Sequence, residues 1–374
     1  MKIARIGLLC CFLVNGLLAQ DLHTAIDHYL DSLYKASNFS GVSLAVILPN
    51  GEAIASAKGK ADLESNQSLN SRHFLLAGSI GKTIVAATAL KLVEQGKLKL
   101  DEPISTYLGK EIWFDSIPNA RSITVRMLMN HTSGIPEHVH NEAFLKRTAQ
   151  EPDKIWTPLE CIRYIFGKGL FEAGKDWGYA DTNYIILGMI MEKITGKQYY
   201  DLANELILKP SGLKNIIQSD RRELKGVAIG YSQPGSPFLI EGPIIKDGKF
   251  VINPQLEWTG GGYATTPTDL ARWAKYLYEG NAFNKEMLDM MLQGVPSKLG
   301  KNLYGLGVII GESKYGKTYG HSGWFPGYIS EVRYYPQYEF SIAIQFNTDD
   351  GSKVKGFGRF LNPISDIIVN DLKK

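Results

Sequence analysis

The sequence is poor in cysteine. Only three of its 374 residues are cysteines, and two of them, Cys10 and Cys11, lie in an N-terminal segment that we expect to be removed. The remaining Cys161 cannot form an internal disulfide, and a single thiol cannot build a cysteine-based metal site. The sequence therefore excludes a fold stabilised by disulfides, and we expect a hydrophobic core large enough to do without them.

The sequence also lacks an excess of charge of either sign. Lysine and arginine number 41 and aspartate and glutamate 38, which gives a formal net charge of +3 at pH 7. This balance offers no electrostatic basis for a nucleic-acid partner. Beyond the N-terminal segment no apolar run is long enough for a spanning helix, so we expect no membrane span in the mature chain.

The first 19 residues have the composition of a secretory signal peptide. Lys2 and Arg5 precede an apolar run over residues 6–14, and residues 17–19 end in the small Ala19. This pattern predicts cleavage after Ala19, and the segment is too short to be kept as a membrane anchor. We expect an exported bacterial protein, periplasmic or secreted, whose formal charge falls from +3 to +1 when Lys2 and Arg5 are removed.

Hydrophobic periodicity predicts strands near both ends of the chain and helices between them. The predicted helices cover residues 21–36, 123–129, 158–166, 182–194, 199–207, 268–278 and 360–372, and the predicted strands cover residues 41–48, 53–57, 304–310, 318–321, 329–335 and 340–346. This order predicts an α/β fold of the α+β type, with one antiparallel sheet formed by both chain ends and flanked by helices. We expect one domain over residues 20–374, with a sheet lobe at about 20–73 and 300–374, a mainly helical lobe at about 74–299, and the active site between them.

The most informative stretch is residues 74–92, in which Ser79 and Lys82 open a long apolar helix that Gly96 would end. Residues three apart share a helical face, and unpaired N–H groups at a helix N-terminus can hold an oxyanion. Burial would lower the pKa of Lys82 until it can take a proton from a neighbouring hydroxyl. Ser79 is then a candidate nucleophile and Lys82 its base.

Ser-x-x-Lys alone is a weak signal, because a chain of this length contains it by chance. The copies at residues 211–214 and 352–355 lie among turn-forming residues, whereas the copy at Ser79 begins an apolar helix. From these residues alone, Ser79 could equally be an ordinary helix N-terminal serine with a lysine that extends to solvent.

Two other segments carry polar residues where the pattern calls for core. Residues 177–184 include Tyr179, which would ionise more easily beside an ammonium group and act as a base, and Asp181, which could equally cap the following helix. Residues 319–324 include His321 in a strand whose glycines would let a substrate backbone approach closely.

Two rival sites fit less well. Residues 320–323 resemble a nucleophile elbow, but the Gly-x-Ser-x-Gly pattern fails because Trp324 stands two residues after Ser322. A zinc site on Glu137, His138 and His140 would lack a helical His-x-x-x-His pair, and these residues are more typical of a loop. We expect neither a metal nor a cofactor.

Together these segments resemble the serine beta-lactamase-like family, which includes class C beta-lactamases, D-alanyl-D-alanine carboxypeptidases, D-aminopeptidases and some esterases. The resemblance covers residues 40–346 and is carried, in order, by Ser79-Ile80-Gly81-Lys82, Leu128-Met129-Asn130-His131-Thr132-Ser133-Gly134-Ile135-Pro136, Tyr179-Ala180-Asp181, Gly260-Gly261-Gly262-Tyr263-Ala264-Thr265-Thr266-Pro267-Thr268-Asp269-Leu270 and His321-Ser322-Gly323.

The resemblance implies a role for each matching residue. Ser79 would be the acylated nucleophile, Lys82 its partner in proton transfer, and Tyr179 the base that activates Ser79 and then protonates the leaving nitrogen. The backbone N–H groups of Ser79 and Trp324 would form the oxyanion hole. In the same way, His321 and Gly323 would line the strand that holds the substrate.

Two positions depart from the family pattern. Asp181 replaces the usual asparagine, and its charge would hold Lys82 protonated and leave Tyr179 as the main base. His321 replaces the lysine of class C beta-lactamases, which makes efficient beta-lactam hydrolysis less expected than covalent trapping and weakens the attraction for a substrate carboxylate at neutral pH.

The sequence therefore predicts an exported serine hydrolase that cleaves a peptide, amide or ester bond through an acyl-enzyme on Ser79. Its ligands would be small molecules or peptides, such as peptidoglycan fragments or beta-lactams. The alternative is a non-catalytic penicillin- or peptidoglycan-binding protein that has kept the fold.

Overall fold

The structure is a computed structural model that describes residues 6–37, 39–351 and 358–374. Its helices are Ile6–Ser37, Lys82–Glu94, Ser105–Leu108, Val125–Met129, Glu142–Gln150, Pro158–Ile162, Asp181–Thr195, Tyr199–Ala203, Lys209–Ser211, Pro267–Tyr278, Lys285–Met291 and Gly358–Leu372. None of the described helices is long and apolar enough to cross a membrane. The predicted signal peptide begins in residues outside the described part of the chain, as does the Ser-x-x-Lys copy at 352–355, and cleavage after Ala19 stays a prediction.

A nine-stranded antiparallel sheet forms the larger layer, as the sequence predicts. In spatial order its strands are Val295–Pro296, Leu303–Tyr304, Ile309–Ser313, Gly316–Phe325, Tyr328–Tyr335, Phe340–Phe346, Gly41–Ile47, Ala53–Asp62 and Gln67–Ser68. The strand Gly41–Ile47 pairs with Phe340–Phe346, with Ala45 opposite Ala343. The two ends of the chain therefore meet in the middle of one sheet, and the predicted α/β class is confirmed.

Both faces of the central strands are buried. On the outer face Leu44 and Ile344 pack under the first and last helices, whose contacts include Ile26 and Ile368. On the inner face Ala45 belongs to the larger core shared with the helical middle of the chain. Burial on both faces explains why these strands are apolar at most positions instead of alternating between apolar and polar residues.

The helical side carries the apolar helix that the sequence predicts. Lys82–Glu94 is buried at every position from Lys82 to Leu90, and Gly96 follows it with a φ of +70°. The helix Pro267–Tyr278, by contrast, packs on the inner face of the sheet, where the Ser341 hydroxyl donates to the carbonyl of Ala271 at 2.7 Å. The division of the chain into two lobes stays a prediction.

Several short strands connect the two sides. They are Leu75–Leu76, Ile216–Gln218, Tyr231–Ser232, Gly242–Pro243, Ile245–Lys246, Lys249–Phe250 and Tyr263–Thr265. Three of them form a small sheet, in which Tyr263–Thr265 lies between Leu75–Leu76 and Ile216–Gln218. The strand Leu75–Leu76 directly precedes the segment that holds Ser79.

Four predicted elements differ from the structure. The strand expected over 304–310 is interrupted, since residues 305–308 separate the strands Leu303–Tyr304 and Ile309–Ser313, and Gly307 in this gap has a φ of +74°, which is not a strand conformation. The strand expected over 318–321 extends over Gly316–Phe325, and the one over 53–57 over Ala53–Asp62. The helix expected over 199–207 becomes wider after Ala203, since residues 204–208 form a π-helical turn.

Candidate active site

Ser79 lies in a 3₁₀ turn, Gly78–Gly81, that leads directly into the helix Lys82–Glu94. Two glycines allow this turn to sit against its neighbours. A methyl group on Gly81 would lie 2.0 Å from the carbonyl oxygen of Gly261, and one on Gly323 would lie 1.8 Å from that of Ala77. Backbone contact on two sides therefore fixes the nucleophile between the strand Gly316–Phe325 and the glycine block at 260–262.

The Lys82 ammonium group has three acceptors. It lies 3.0 Å from the Ser79 hydroxyl and 2.5 Å from a carboxylate oxygen of Asp181, and it also donates to the carbonyl of Gly260. An ammonium group has three N–H donors, so these partners use all of them. The Lys82 side chain is fully buried, which keeps this arrangement out of water.

The expected fall in the pKa of Lys82 is wrong. Burial does act in that direction, but the negative charge of Asp181 and its hydrogen bond to Lys82 act in the opposite direction, and the net pKa lies above its usual value. Lys82 is therefore a cation in the resting protein, as the aspartate at position 181 suggests, and it has no free lone pair to accept a proton from Ser79.

Tyr179 is also not ionised at rest, contrary to the expectation from the ammonium group alone. Its hydroxyl is buried and forms no well-aligned hydrogen bond with the described residues, although Lys82 and Ser79 lie within electrostatic range. Burial raises the pKa of Tyr179 to about 12, because the charge of Asp181 cancels much of the effect of Lys82. Lys82 also lies 4.9 Å from the centre of the Tyr179 ring.

Asp181 is held by an element that the sequence does not assign to the site. The backbone N–H of Asp181 donates to the carboxylate of Glu137 at 2.5 Å, and Glu137 also pairs with His138 at 3.2 Å. Burial opposes ionisation of Glu137, but His138 and the N–H of Asp181 lower its pKa overall. Glu137 and His138 thus form a buried ion pair at the start of the helix Asp181–Thr195, while His140 is exposed, so these three residues do not converge as zinc ligands would.

His321 belongs to a buried chain of hydrogen bonds. Its Nδ1 lies 2.6 Å from the carbonyl of Ser322, and its Nε2 lies 2.8 Å from the hydroxyl of Tyr304. That hydroxyl is also 3.3 Å from Nε2 of His131, whose Nδ1 faces N–H donors of Ala180 and Asn183.

The partners assign a direction to this chain. A carbonyl only accepts, so Nδ1 of His321 carries the proton and Nε2 accepts from Tyr304. In the same way Nδ1 of His131 is an acceptor, and its Nε2–H donates to Tyr304. Burial, followed by the charge of Lys82, lowers the pKa of His321 to about 3, so the position of the family's lysine holds a neutral ring.

The neutral His321 predicts acid sensitivity. Its pKa is about 3 when folded and 6.5 when unfolded, so the unfolded chain binds more protons between these values. The free energy of unfolding of the wild type should fall relative to that of His321→Gln as the pH drops from 6.5 toward 3, by up to about 1.4 kcal/mol per pH unit. Urea unfolding at several pH values measures this difference. His140→Gln, at an exposed histidine, is the matched control, and parallel curves for wild type and His321→Gln would contradict the prediction.

The backbone of Trp324 lies against the turn that holds Ser79. A methyl group on Gly78 would lie 2.6 Å from the backbone nitrogen of Trp324, and one on Gly323 would lie 3.2 Å from that of Ser79. The two backbone nitrogens thus border the same narrow space between the turn and the strand. Such paired N–H groups suit the negative oxygen of a tetrahedral intermediate.

The structure brings all seven sequence-predicted site residues into this one region: Ser79, Lys82, Tyr179, Asp181, His321, Gly323 and Trp324. Sequence reasoning missed the carbonyl of Gly260, the carboxylate of Glu137 and the hydroxyl of Tyr304. Gly260 begins the family-like segment at 260–270, and Glu137 directly follows the one at 128–136. Nothing in the local sequence marks Tyr304 as part of the site.

Comparison with known proteins agrees with this geometry. A sequence model of the family described as Beta-lactamase matches residues 25–359. The Bacillus subtilis (strain 168) protein named "Putative penicillin-binding protein PbpX" is 28% identical over 310 residues, which cover 82% of this chain and 69% of that protein.

Two solved structures share the fold over most of their length. D-amino acid amidase from Ochrobactrum anthropi SV3 is 26% identical, with a TM-score of 0.78, and the match covers 94% of this chain and 99% of that chain. A D-stereospecific amidohydrolase from a Streptomyces species is 25% identical, with a TM-score of 0.76 and coverage of 89% and 97%.

Proposed function

Because this chain belongs to the beta-lactamase family and is a serine hydrolase, we propose that it cleaves an amide or ester bond through an acyl-enzyme on Ser79. The observation that carries this proposal is the contact of the Ser79 hydroxyl with the buried Lys82 ammonium group at 3.0 Å, with the Tyr179 hydroxyl in range of both. This is the arrangement of a nucleophile beside groups that can move its proton.

Each residue has a step in the proposed reaction. The Ser79 oxygen bonds to the substrate carbonyl carbon as the ionised form of Tyr179 takes the Ser79 proton, and Tyr179 then gives this proton to the leaving nitrogen or oxygen as the scissile bond breaks. Lys82 remains charged and stabilises the Tyr179 phenolate and the negative charge that develops on Ser79. The N–H groups of Ser79 and Trp324 hold the oxyanion, at about 3 to 4 kcal/mol per donor, and water then hydrolyses the acyl-enzyme.

The charges of the site favour an uncharged leaving group over a free carboxylate. Lys82 is neutralised by Asp181, and His321 is uncharged at neutral pH. A carboxypeptidase substrate ends in a carboxylate and would need a cation here. We therefore favour amides and esters over D-alanyl-D-alanine carboxypeptidase activity, and both structural relatives named above carry amidase or amidohydrolase in their names.

Intact-mass spectrometry with a penicillin tests the acyl-enzyme. We expect wild-type protein to gain the mass of one penicillin and Ser79→Ala to gain none, because the beta-lactam amide acylates Ser79. A persistent adduct would indicate a penicillin-binding protein, and a fleeting one with accumulation of opened penicillin would indicate a beta-lactamase. If neither penicillin nor an activated ester labels Ser79, the proposal is wrong.

We also propose that the protein is exported, on the evidence of its signal-like first 19 residues. The same mass measurement, made on protein recovered from the medium or periplasm of the expressing bacterium, should give the mass of a chain that begins at Gln20. Full-length protein confined to the cytoplasm would contradict export without affecting the enzymatic proposal.

A further inference from the structure

A small cavity of about 50 Å³ adjoins the catalytic residues. Asp181, Glu257, Phe238, Trp324 and Phe325 are among the residues that line it. Asp181 contacts Lys82, and Trp324 supplies the proposed oxyanion donor, so the cavity lies within one substrate group of the scissile bond. A cavity of this size holds water or a small polar group beside the catalytic residues.

Glu257 is one of two acids that line this cavity, and one of its oxygens has no hydrogen-bond partner among the described residues. Glu257 is 9% exposed, and its Oε2 accepts no hydrogen bond from the described residues. Its other oxygen faces backbone, since a methyl group on Gly261 would lie 2.9 Å from Oε1. A buried carboxyl group without a donor is costly, so its retention calls for an explanation.

A second buried acid shows how the fold compensates when the role is structural. Glu331 is 5% exposed, similar to Glu257, and its Oε2 also lacks a hydrogen-bond partner among the described residues, but its Oε1 forms an ion pair with Arg333. Near Glu257 the charges are unfavourable. Burial and then the carboxylate of Asp181 raise the pKa of Glu257 to about 8, and Lys82, which acts in the opposite direction, is already held by Asp181.

The backbone beside Glu257 is strained at Trp258, and this strain supports a role for the segment in a binding site. The next residue, Trp258, has φ +39° and ψ −116°, a conformation that bulky side chains rarely adopt. Such strain collects where side chains must be held in one orientation at a site. Here the kink lies in the segment that ends with the Gly260 carbonyl, the third acceptor of Lys82.

The remaining walls suit a cation. The rings of Phe238 and Trp324 stack with their centres 6.1 Å apart and an angle of 30° between planes. Aromatic faces attract ammonium groups, and two carboxyl groups in the same cavity reinforce this attraction. His138 also lines the cavity, and its Nε2 has no hydrogen-bond partner among the described residues, but its charge is paired with Glu137, which leaves Glu257 as the acid without a counter-charge.

We propose that this cavity is a subsite for a protonated amine of the substrate, bound by Glu257 with support from Asp181 and the ring of Trp324. The proposal rests on the proposed function, and it narrows the substrates to amides or esters whose acyl part carries an amine next to the reacting carbonyl. The arriving ammonium group replaces the proton that Glu257 holds in the empty site.

Isosteric substrates test the subsite. We compare alanine p-nitroanilide, which has an ammonium group, with lactic acid p-nitroanilide, which has a hydroxyl in its place, using both enantiomers at pH 7. Wild type should prefer the amine by at least tenfold in kcat/KM. Glu257→Gln, which keeps the shape but removes the charge, should lower this preference at least tenfold, chiefly through KM, whereas the matched control Glu331→Gln should keep the wild-type ratio.

The ratio of kcat/KM for the two substrates does not depend on how much of a variant is folded. Inhibition of the wild-type protein gives a second, independent test. Alaninol should inhibit competitively at a concentration at least tenfold lower than propane-1,2-diol, which differs only in the amine. Equal inhibition, no preference in wild type, or an equal loss in both glutamate variants would overturn the subsite. Acylation of Ser79 by penicillin or an activated ester would still stand in that case, so failure of the subsite is distinguishable from failure of the proposed function.

Discussion

Ser79→Ala is expected to lower kcat by about 10⁴- to 10⁶-fold, the loss seen when a serine hydrolase loses its nucleophile. The variant should fold normally, because the substitution removes only a small hydroxyl group from the turn before the helix Lys82–Glu94. This turn is held in place by backbone contacts at Gly81 and Gly323. Steady-state hydrolysis of an activated amide or ester, with thermal unfolding measured alongside, gives both values.

The chain supplies its own control for this substitution. Ser211 also belongs to a Ser-x-x-Lys pattern, but its hydroxyl donates to the carbonyl of Leu208 at 2.8 Å at the end of a short helix. Ser211→Ala should keep wild-type turnover. Equal activity of Ser79→Ala and Ser211→Ala would show that the reaction, if any, takes place elsewhere.

Tyr179→Phe is expected to lower kcat/KM by about 10³-fold, within the range observed when a general acid–base group is removed. The phenyl ring would keep the contact with the His131 ring, whose centre lies 4.3 Å away, so the loss would report on the hydroxyl rather than on packing. Substrate affinity should change less than turnover, because the Tyr179 hydroxyl acts mainly on proton transfer in the transition state.

The pH dependence makes this prediction sharper. With a pKa of about 12, only a very small fraction of Tyr179 is ionised at neutral pH, and that fraction rises about tenfold with each pH unit. For wild type, kcat/KM should therefore climb with pH from 7 as far as the folded state persists, and the slope should be lost in Tyr179→Phe. A wild-type optimum at pH 7 would assign the base to another group.

Much of the site could be predicted because its reactive residues lie in short sequence segments. Ser79 and Lys82 are three residues apart on one turn, and the segments around Tyr179 and His321 each place a polar group where core is expected. Glycines mark the close approaches, as at Gly323, where only a hydrogen fits against the carbonyl of Ala77. The strands of the sheet were found for a similar reason, since residues 340–346 are mostly apolar and all buried.

Protonation states could not be predicted from local patterns, because they depend on residues far apart in the chain, although the family comparison did indicate that Asp181 keeps Lys82 charged. Lys82 is kept charged by Asp181, 99 residues away, and by the carbonyl of Gly260, 178 residues away. His321 is fixed by a tyrosine 17 residues earlier, in a segment that the pattern assigned to a continuous strand. Burial of the helix alone carries no information on such contacts, so the argument from burial gave the direction of the Lys82 pKa incorrectly, whereas the aspartate at position 181 gave it correctly.

The pairing of Gly41–Ile47 with Phe340–Phe346 also has a consequence for how the chain is made. At typical rates of synthesis, roughly 15 to 60 s separate the appearance of these two strands at the ribosome. During that interval the first hairpin has an unpaired edge, which is an aggregation hazard for any nascent strand. The sheet can be completed only when nearly the whole chain has emerged, so this long-range strand pairing forms no earlier than the end of synthesis.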